Sequence, residues 1–134
     1  MNEATKAEIQ GYVAKWRPRL RLMDWSIAYE WDAPLDKGSS MMTDTAAQYR
    51  RLRLMVGPDT KDEGWQTVEK MVLHELCHAL SAELYEVAET TVSPAQVGQI
   101  ERAWEQMTEW LARVVWEAYE GKAWDAEPEG LPKS

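Results

Sequence analysis

The sequence predicts an α+β fold composed of an N-terminal helix, a small three-stranded and mainly antiparallel sheet, a central helix and a long C-terminal helix. Three observations support this prediction. Apolar and polar residues alternate in the first half of the chain, as they do in half-buried strands. Apolar residues recur at helical spacing on both sides of that region. The 21 residues from Trp65 to Tyr85 include neither proline nor glycine, which indicates one uninterrupted helix.

Length, charge and cysteine content limit the classes of protein to consider. The chain has 134 residues, enough for one domain, which we assign to residues 1–120. A formal net charge of −8 argues against nucleic acid as a partner. A single cysteine and the lack of an apolar leader segment predict a cytoplasmic protein. No apolar run approaches the length of a membrane span, so no membrane partner is expected.

The predicted N-terminal elements are one helix and three strands. The helix covers residues 3 to 22, with Pro18 as a kink or early end. Its apolar positions at helical spacing are Ile9, Tyr12, Val13, Trp16 and Leu20. The strands cover residues 25 to 31, 40 to 45 and 48 to 56. In the third strand, alternation predicts that Leu52, Leu54 and Val56 share one face.

The central helix is predicted to start at a capping box, residues 60 to 63, and to continue to Tyr85. One side of it is apolar and is expected to be buried: Val68, Val72, Leu73, Leu76, Ala79 and Leu80. Residues 86 to 92 then form a short connection. The pattern therefore predicts a helix that buries one face and presents its flank to a cleft.

The C-terminal helix has clear start and stop signals. Ser93 and Gln96 form a capping box with Pro94 between them at the first helical position. Gly121 can end the helix after Glu120. The predicted buried stripe comprises Ile100, Trp104, Met107, Leu111, Val114 and Val115. Residues 121–134 are acidic and rich in proline and glycine, which predicts a disordered tail.

The candidate site is the motif H-E-x-x-H, formed by His74, Glu75 and His78. These are the only two histidines of the chain. Positions i and i+4 of a helix lie on one face, so both imidazoles can bind one metal ion, with the glutamate beside them. The spacing arises by chance in roughly two of a thousand shuffled sequences. The alternative is a helix whose histidines make ordinary hydrogen bonds.

A third metal ligand must come from another element, because a catalytic zinc normally has three protein ligands. Two antiparallel helices joined near residue 89 or 90, each rising about 1.5 Å per residue, place residue 103 opposite residue 76. Glu101 and Glu105 bracket that level, and Glu109 lies one turn further on and is expected to be more exposed. Cys77 points away from the two rings and is interpreted as a packing residue. Spacing alone does not decide which of Glu101, Glu105 and Glu109 is the third ligand.

The segment His74-Glu75-Leu76-Cys77-His78, followed by Glu105-Gln-Met-Thr-Glu-Trp-Leu-Ala-Arg113, resembles the gluzincin clan of zinc metallopeptidases. The order of elements over about residues 5 to 115 resembles the very small metallopeptidases of phages and prophages. This resemblance implies a minimal zincin-like fold, with zinc held by His74, His78 and Glu105. Glu101, which the helix spacing also allows, is the runner-up for the third ligand. It also implies that Glu109 supports the ligands from outside the coordination sphere.

The predicted function is that of a zinc-dependent peptidase in which Glu75 acts as general base toward a zinc-activated water. The expected partner is a peptide or protein substrate lying along an exposed sheet edge. Tyr49 or Tyr85 could stabilise the oxyanion, although a core or surface role is favoured for each. One alternative is a zinc-binding interaction module of the same fold with weak or no activity. Another is a structural domain without metal.

Overall fold

The computed structural model describes residues 1–36 and 38–127 and has the predicted α+β composition. Helices and strands follow one another as α1 (Glu3–Arg19), β1 (Ser26–Trp31), β2 (Met41–Ala46), β3 (Arg51–Val56), α2 (Val68–Cys77), α3 (Ala82–Thr91) and α4 (Pro94–Glu120). Two 3-10 turns, Ala47–Tyr49 and His78–Ser81, precede β3 and α3. No helix in these described ranges is both long enough and apolar enough to cross a membrane.

The sheet is mixed, with strand order β1-β3-β2. β3 pairs with β1 in parallel and with β2 in antiparallel orientation. The prediction of a mainly antiparallel sheet is therefore wrong for one of its two pairs. The reason lies in β3, whose Leu52, Leu54 and Val56 are all buried. The most apolar strand takes the central position, where it pairs with β1, which runs in the same direction.

Two N-terminal boundaries differ from the predicted ones. α1 ends at Arg19 rather than at residue 22, with Pro18 in its last turn. β3 begins at Arg51 rather than at residue 48, because a 3-10 turn precedes it and Arg50 has a left-handed backbone with φ of 50°. A residue with this backbone conformation interrupts a strand. The predicted alternation within β3 is confirmed.

The central helix is shorter than predicted. α2 begins after Thr67, whose side chain accepts a hydrogen bond from the Lys70 amide. The predicted capping box at residues 60 to 63 is wrong, since the Thr60 hydroxyl donates to the carbonyls of Ser40 and Gly57. α2 ends at Cys77, and the predicted connection over residues 86 to 92 is largely the helix α3.

The break after α2 changes which side chains are buried. The 3-10 turn changes the angle between successive side chains around the helix axis, so the residues after Cys77 do not continue the faces of α2. Leu80, predicted to be buried, is exposed over 43% of its surface. The other residues of the predicted apolar side are buried, namely Val68, Val72, Leu73, Leu76 and Ala79. α2 thus lies at the centre of the molecule, in contact with α1, α4 and β2.

The C-terminal helix begins and ends as predicted. The capping box of Ser93 and Gln96 is present, and Gly121 ends α4 with φ of 67°. Within the predicted tail, Trp124 is buried in the core at 3% exposure. The remaining part of the predicted tail, 128–134, lies outside the described residues.

Candidate metal centre

The two imidazoles lie together where α2, β2 and α4 meet. His74 is on the last turn of α2, and His78 is the first residue of the 3-10 turn that follows. Their ring centroids are 5.2 Å apart. With Glu75 they form a group whose potential ligand atoms all lie within 4.8 Å of one another. These three residues could therefore hold a metal ion.

Glu105, on α4, is placed against both rings. Its Oε1 lies 2.9 Å from Nε2 of His78, and its Oε2 lies 3.2 Å from Nε2 of His74. Ligand atoms around a tetrahedral zinc ion lie roughly 3.4 Å from one another. Both distances from Glu105 to the rings are compatible with that spacing, which makes Glu105 a further candidate ligand. The oxygens of Glu75 are further from these nitrogens, at 3.8 and 3.9 Å.

The other nitrogen of each ring has its own partner on α4. Nδ1 of His74 lies 2.7 Å from Oε2 of Glu109, and Nδ1 of His78 lies 3.2 Å from the Thr108 hydroxyl. A carboxylate can only accept, so His74 carries a proton on Nδ1. The hydroxyl can accept the corresponding proton of His78. Both Nε2 atoms then face the Glu105 carboxylate and are the candidate ligand atoms of the two rings.

Glu75 is almost completely buried, at 8% exposure. Its Oε1 accepts a hydrogen bond of 2.9 Å from the Thr43 hydroxyl on β2. Burial raises the pKa of this carboxyl above its usual value, although the charges of His74 and His78 and the Thr43 hydrogen bond oppose the rise. A carboxyl with a raised pKa beside two candidate metal ligands is suited to accept and return a proton.

The charges of His74, Glu105 and Glu109 stabilise one another. Burial disfavours the His74 cation, but hydrogen bonds to Glu105 and Glu109 raise its pKa to about 10. The same hydrogen bond to His74, followed by that to His78, lowers the pKa of Glu105. The pKa of Glu109 is lowered mainly by its hydrogen bond to His74. A proton on His74 thus supplies a positive charge beside the two carboxylates, as a bound metal cation would.

A cavity of about 260 Å³ opens beside these groups. It is lined by His74, Glu75 and the two glutamates of α4 on one side and by Ser40 and Met41 on the other. A smaller cavity of about 210 Å³ continues along β2 past Thr43 to His78. The site is thus open to a ligand that approaches along the edge of the sheet.

The predicted metal ligands and Glu75 meet here, except Glu101, and the relative exposure of Glu105 and Glu109 differs from the predicted one. Glu101, the runner-up ligand, is exposed, and in the described ranges of the chain it forms no hydrogen bond or ion pair with either imidazole. Glu109 is less exposed than Glu105, with side-chain exposures of 40% and 58%, contrary to the prediction. Cys77 is fully buried, and burial raises its pKa to about 12, consistent with a packing role.

The buried stripe of α4 also differs from the predicted one. Thr108 and Ala112 are its buried residues, whereas Met107 and Val114 are 38% and 44% exposed. Part of the face turned toward α2 carries Glu105, Thr108 and Glu109, the groups that contact the two histidines. These polar positions interrupt the apolar pattern from which the stripe was predicted.

Neither candidate tyrosine lines these cavities. Tyr49 is 64% exposed and packs against the Arg51 guanidinium. The Tyr85 hydroxyl donates to Glu89, and its ring stacks on Trp104. The observed surroundings thus match the surface and packing roles that the sequence favoured.

Three residues at the site were not found from the sequence: Thr43, Thr108 and Trp124. The threonines carry no local signal, because a hydroxyl in a strand or helix has many ordinary roles. Trp124 had one signal, since a large aromatic residue is unusual in a segment that is otherwise polar.

No protein-family model, curated protein or solved structure matches the chain.

Proposed function

We propose that the protein is a zinc-dependent peptidase. The observation that supports this most directly is the placement of one carboxylate, Glu105, against Nε2 of both His74 and His78. A buried carboxyl, Glu75, stands beside the same two nitrogens. Two imidazoles, one carboxylate ligand and a neighbouring acid are the donor set of hydrolytic zinc centres.

The donor set favours zinc over other common divalent ions. Calcium and magnesium prefer shells made of oxygen atoms, whereas imidazole nitrogen suits zinc. A bound zinc ion supplies Lewis acidity, which lowers the pKa of a water ligand and polarises a substrate carbonyl. His74, His78 and Glu105 would hold it, and the hydrogen bonds from Nδ1 of each ring orient the ligand nitrogens.

Glu75 is the residue that moves the proton. Its Oε1 is engaged by Thr43, whereas Oε2 has no hydrogen-bond partner among the residues that the structure describes. Oε2 can therefore take a proton from the attacking water and pass it to the leaving amine. Because burial raises its pKa, the protonated state is accessible during the reaction. This is the role of general base followed by general acid.

The substrate is an extended peptide that lies beside β2. Gly57 donates a backbone hydrogen bond to the Ser40 carbonyl, just beyond the paired residues of β2 and β3. Since antiparallel pairs alternate, Met42 and Asp44 direct their backbone groups toward β3. Met41, Thr43 and Thr45 then direct theirs outward. These groups lie at a sheet edge next to Glu75, where a peptide can add as a further strand.

The test uses protein purified without added metal. Zinc content close to one ion per chain is expected, together with cleavage within a peptide library. The variant Glu75→Gln should retain the zinc and lose hydrolysis, because an amide cannot accept the proton. Glu101→Gln, on the same face of α4 as Glu105 but distant from the rings, is the matched control and should behave as the wild type. Equal activity of Glu75→Gln and the wild type would refute the assignment of the general base.

The alternative, a zinc-binding module without hydrolysis, is favoured by one observation. Tyr49 and Tyr85, the candidates for stabilising an oxyanion, are engaged elsewhere. The same experiment separates the two functions. Zinc in the wild type without cleavage of any library peptide supports the module, whereas cleavage that depends on Glu75 supports the peptidase.

A further inference from the structure

Trp124, which lies in the predicted tail of residues 121–134, contacts the candidate metal centre through one hydrogen bond. Its indole Nε1 donates to Oε1 of Glu109 at 2.9 Å. The second oxygen of the same carboxylate, Oε2, binds Nδ1 of His74 at 2.7 Å. The indole therefore holds the carboxylate that determines the orientation and the tautomer of a candidate ligand. Trp124 also forms part of the wall of the cavity beside the site.

A buried lysine on α2 holds the segment that carries this tryptophan. The ammonium of Lys70 donates to the carbonyls of Trp124, Ala126 and Trp65. It lies 5.2 to 5.7 Å from the ring centroids of Trp65, Trp116 and Trp124. Burial lowers its pKa, and in place of a paired carboxylate it has carbonyl oxygens and three aromatic faces. Two of its three carbonyl partners belong to the C-terminal segment, residues 121–127.

We propose that the C-terminal segment is a positioning element of the metal centre, and that it acts through Trp124. This inference rests on the proposed zinc site. It adds that zinc affinity depends on a part of the chain that supplies no ligand. Docking of the segment places the indole, the indole holds Glu109, and Glu109 holds His74 with Nε2 directed at the metal.

The coupling must be reciprocal. If docking of the segment strengthens zinc binding by some factor, zinc strengthens docking by the same factor. Zinc should therefore reduce local opening of residues 121–127, and loss of the indole hydrogen bond should weaken zinc binding. A segment that merely covers the core would stabilise the fold without either effect.

The neighbouring tryptophan offers a matched control. Trp116 packs at a ring distance of 6.0 Å from Trp124 and contacts the same lysine. In the described part of the chain, its buried Nε1 has no hydrogen-bond partner. Trp124→Phe and Trp116→Phe thus make the same chemical change in the same cluster. Only the first removes a hydrogen bond to the site.

Zinc affinity is measured for the full chain by competition with a chromophoric chelator, alongside thermal unfolding of the metal-free protein. Trp124→Phe should weaken zinc binding about 10–100-fold, the usual effect of losing a group that orients a ligand. Trp116→Phe should bind zinc nearly as the wild type does, even if its unfolding temperature falls. The absorption spectrum of the cobalt-substituted protein should change in Trp124→Phe alone, since it reports ligand geometry.

Hydrogen exchange on the unmodified chain provides a second measurement. The amides of Trp124 and Ala126 are hydrogen-bonded to Glu117 and Ala123, so their exchange reports opening of the segment. Zinc should slow this exchange more than it slows exchange in α1. Wild-type zinc binding with equal affinities in the two variants and no selective protection would overturn this inference and leave the metal centre standing. A wild type that binds no zinc would overturn both.

Discussion

The Thr43 hydroxyl donates a hydrogen bond of 2.9 Å to Oε1 of Glu75. The same hydroxyl lies 3.3 Å from the Glu75 carbonyl oxygen, close to the point where α2 changes into a 3-10 turn. Thr43 thus connects the edge strand to the candidate general base. The strand along which a peptide would lie and the acid that would act on it are held in one arrangement.

This contact predicts a pH dependence. Burial raises the pKa of Glu75, and the Thr43 hydrogen bond opposes the rise by stabilising the carboxylate. Thr43→Val should therefore raise this pKa further. A base must be ionised to act, so the acidic limb of the kcat/KM profile should shift to higher pH.

Thr45→Val is the control for that measurement. Thr45 lies two residues along the same strand and donates to Glu86 instead. Its pH profile should match that of the wild type. Identical acidic limbs in Thr43→Val and Thr45→Val would contradict the proposed effect of the hydrogen bond on Glu75.

The assignment of Glu105 as the proposed third ligand predicts different zinc affinities for substitutions at Glu105 and at Glu101, which lies one helical turn away. Glu105→Gln should weaken zinc binding by more than the 10–100-fold that loss of a supporting group typically costs, because it removes a charged ligand. Glu101→Gln should leave the affinity unchanged. Isothermal titration of the metal-free proteins with zinc compares them directly, and the reverse order of affinities would identify Glu101 as the ligand.

Zinc binding should release a proton from His74. Hydrogen bonds to Glu105 and Glu109 outweigh burial and raise its pKa to about 10, so the ring is protonated at pH 7 in the metal-free protein. A ligand imidazole must be neutral, so binding at pH 7 should release about one proton from this group. Titration heats should accordingly vary with the ionisation enthalpy of the buffer. Equal heats in phosphate-free buffers of high and low ionisation enthalpy would contradict this.

The same shift has a consequence for the stability of the metal-free protein. The His74 pKa is raised on folding, so the folded state binds the proton more tightly. The stabilisation is therefore complete below the unfolded pKa of about 6.5 and is lost as the pH rises toward 10. Zinc affinity should increase over the same interval, because the metal competes with this proton. Chelator competition at several pH values measures the slope.

Lys70 is predicted to be important for stability. Lys70→Met retains much of the volume but removes the donor to the buried Trp124 carbonyl and to the part-buried Ala126 carbonyl. An unsatisfied buried polar group costs about 1–3 kcal/mol, and the free energy of unfolding should fall by that order. Urea denaturation measures it, with the exposed Lys61→Met as control. An unchanged midpoint for Lys70→Met would show that the carbonyls find other partners.

The placement of Glu105 beside the histidines depends on the position of the turn between α3 and α4, which sequence spacing alone does not fix. The predicted turn between the helices lay near residue 89 or 90, which placed residue 103 opposite residue 76. The observed turn is at Val92–Ser93, so the facing level moves about one and a half helical turns along α4, to the neighbourhood of Thr108. This shift brings Glu105 and Glu109 to the histidines and leaves Glu101 outside.

The sequence by itself determined the α+β composition, the alternation within β3, the caps of α4 and the proximity of His74 and His78. All of these depend on interactions between residues close in the chain, so the periodicity and the capping residues of a short segment are sufficient to predict them. Only the tertiary structure decided the mixed sheet, the partners of each Nδ1 atom and the docking of Trp124. These depend on how β2, α2, α4 and the C-terminal segment pack against one another, and a change of one turn in a connection alters every such distance.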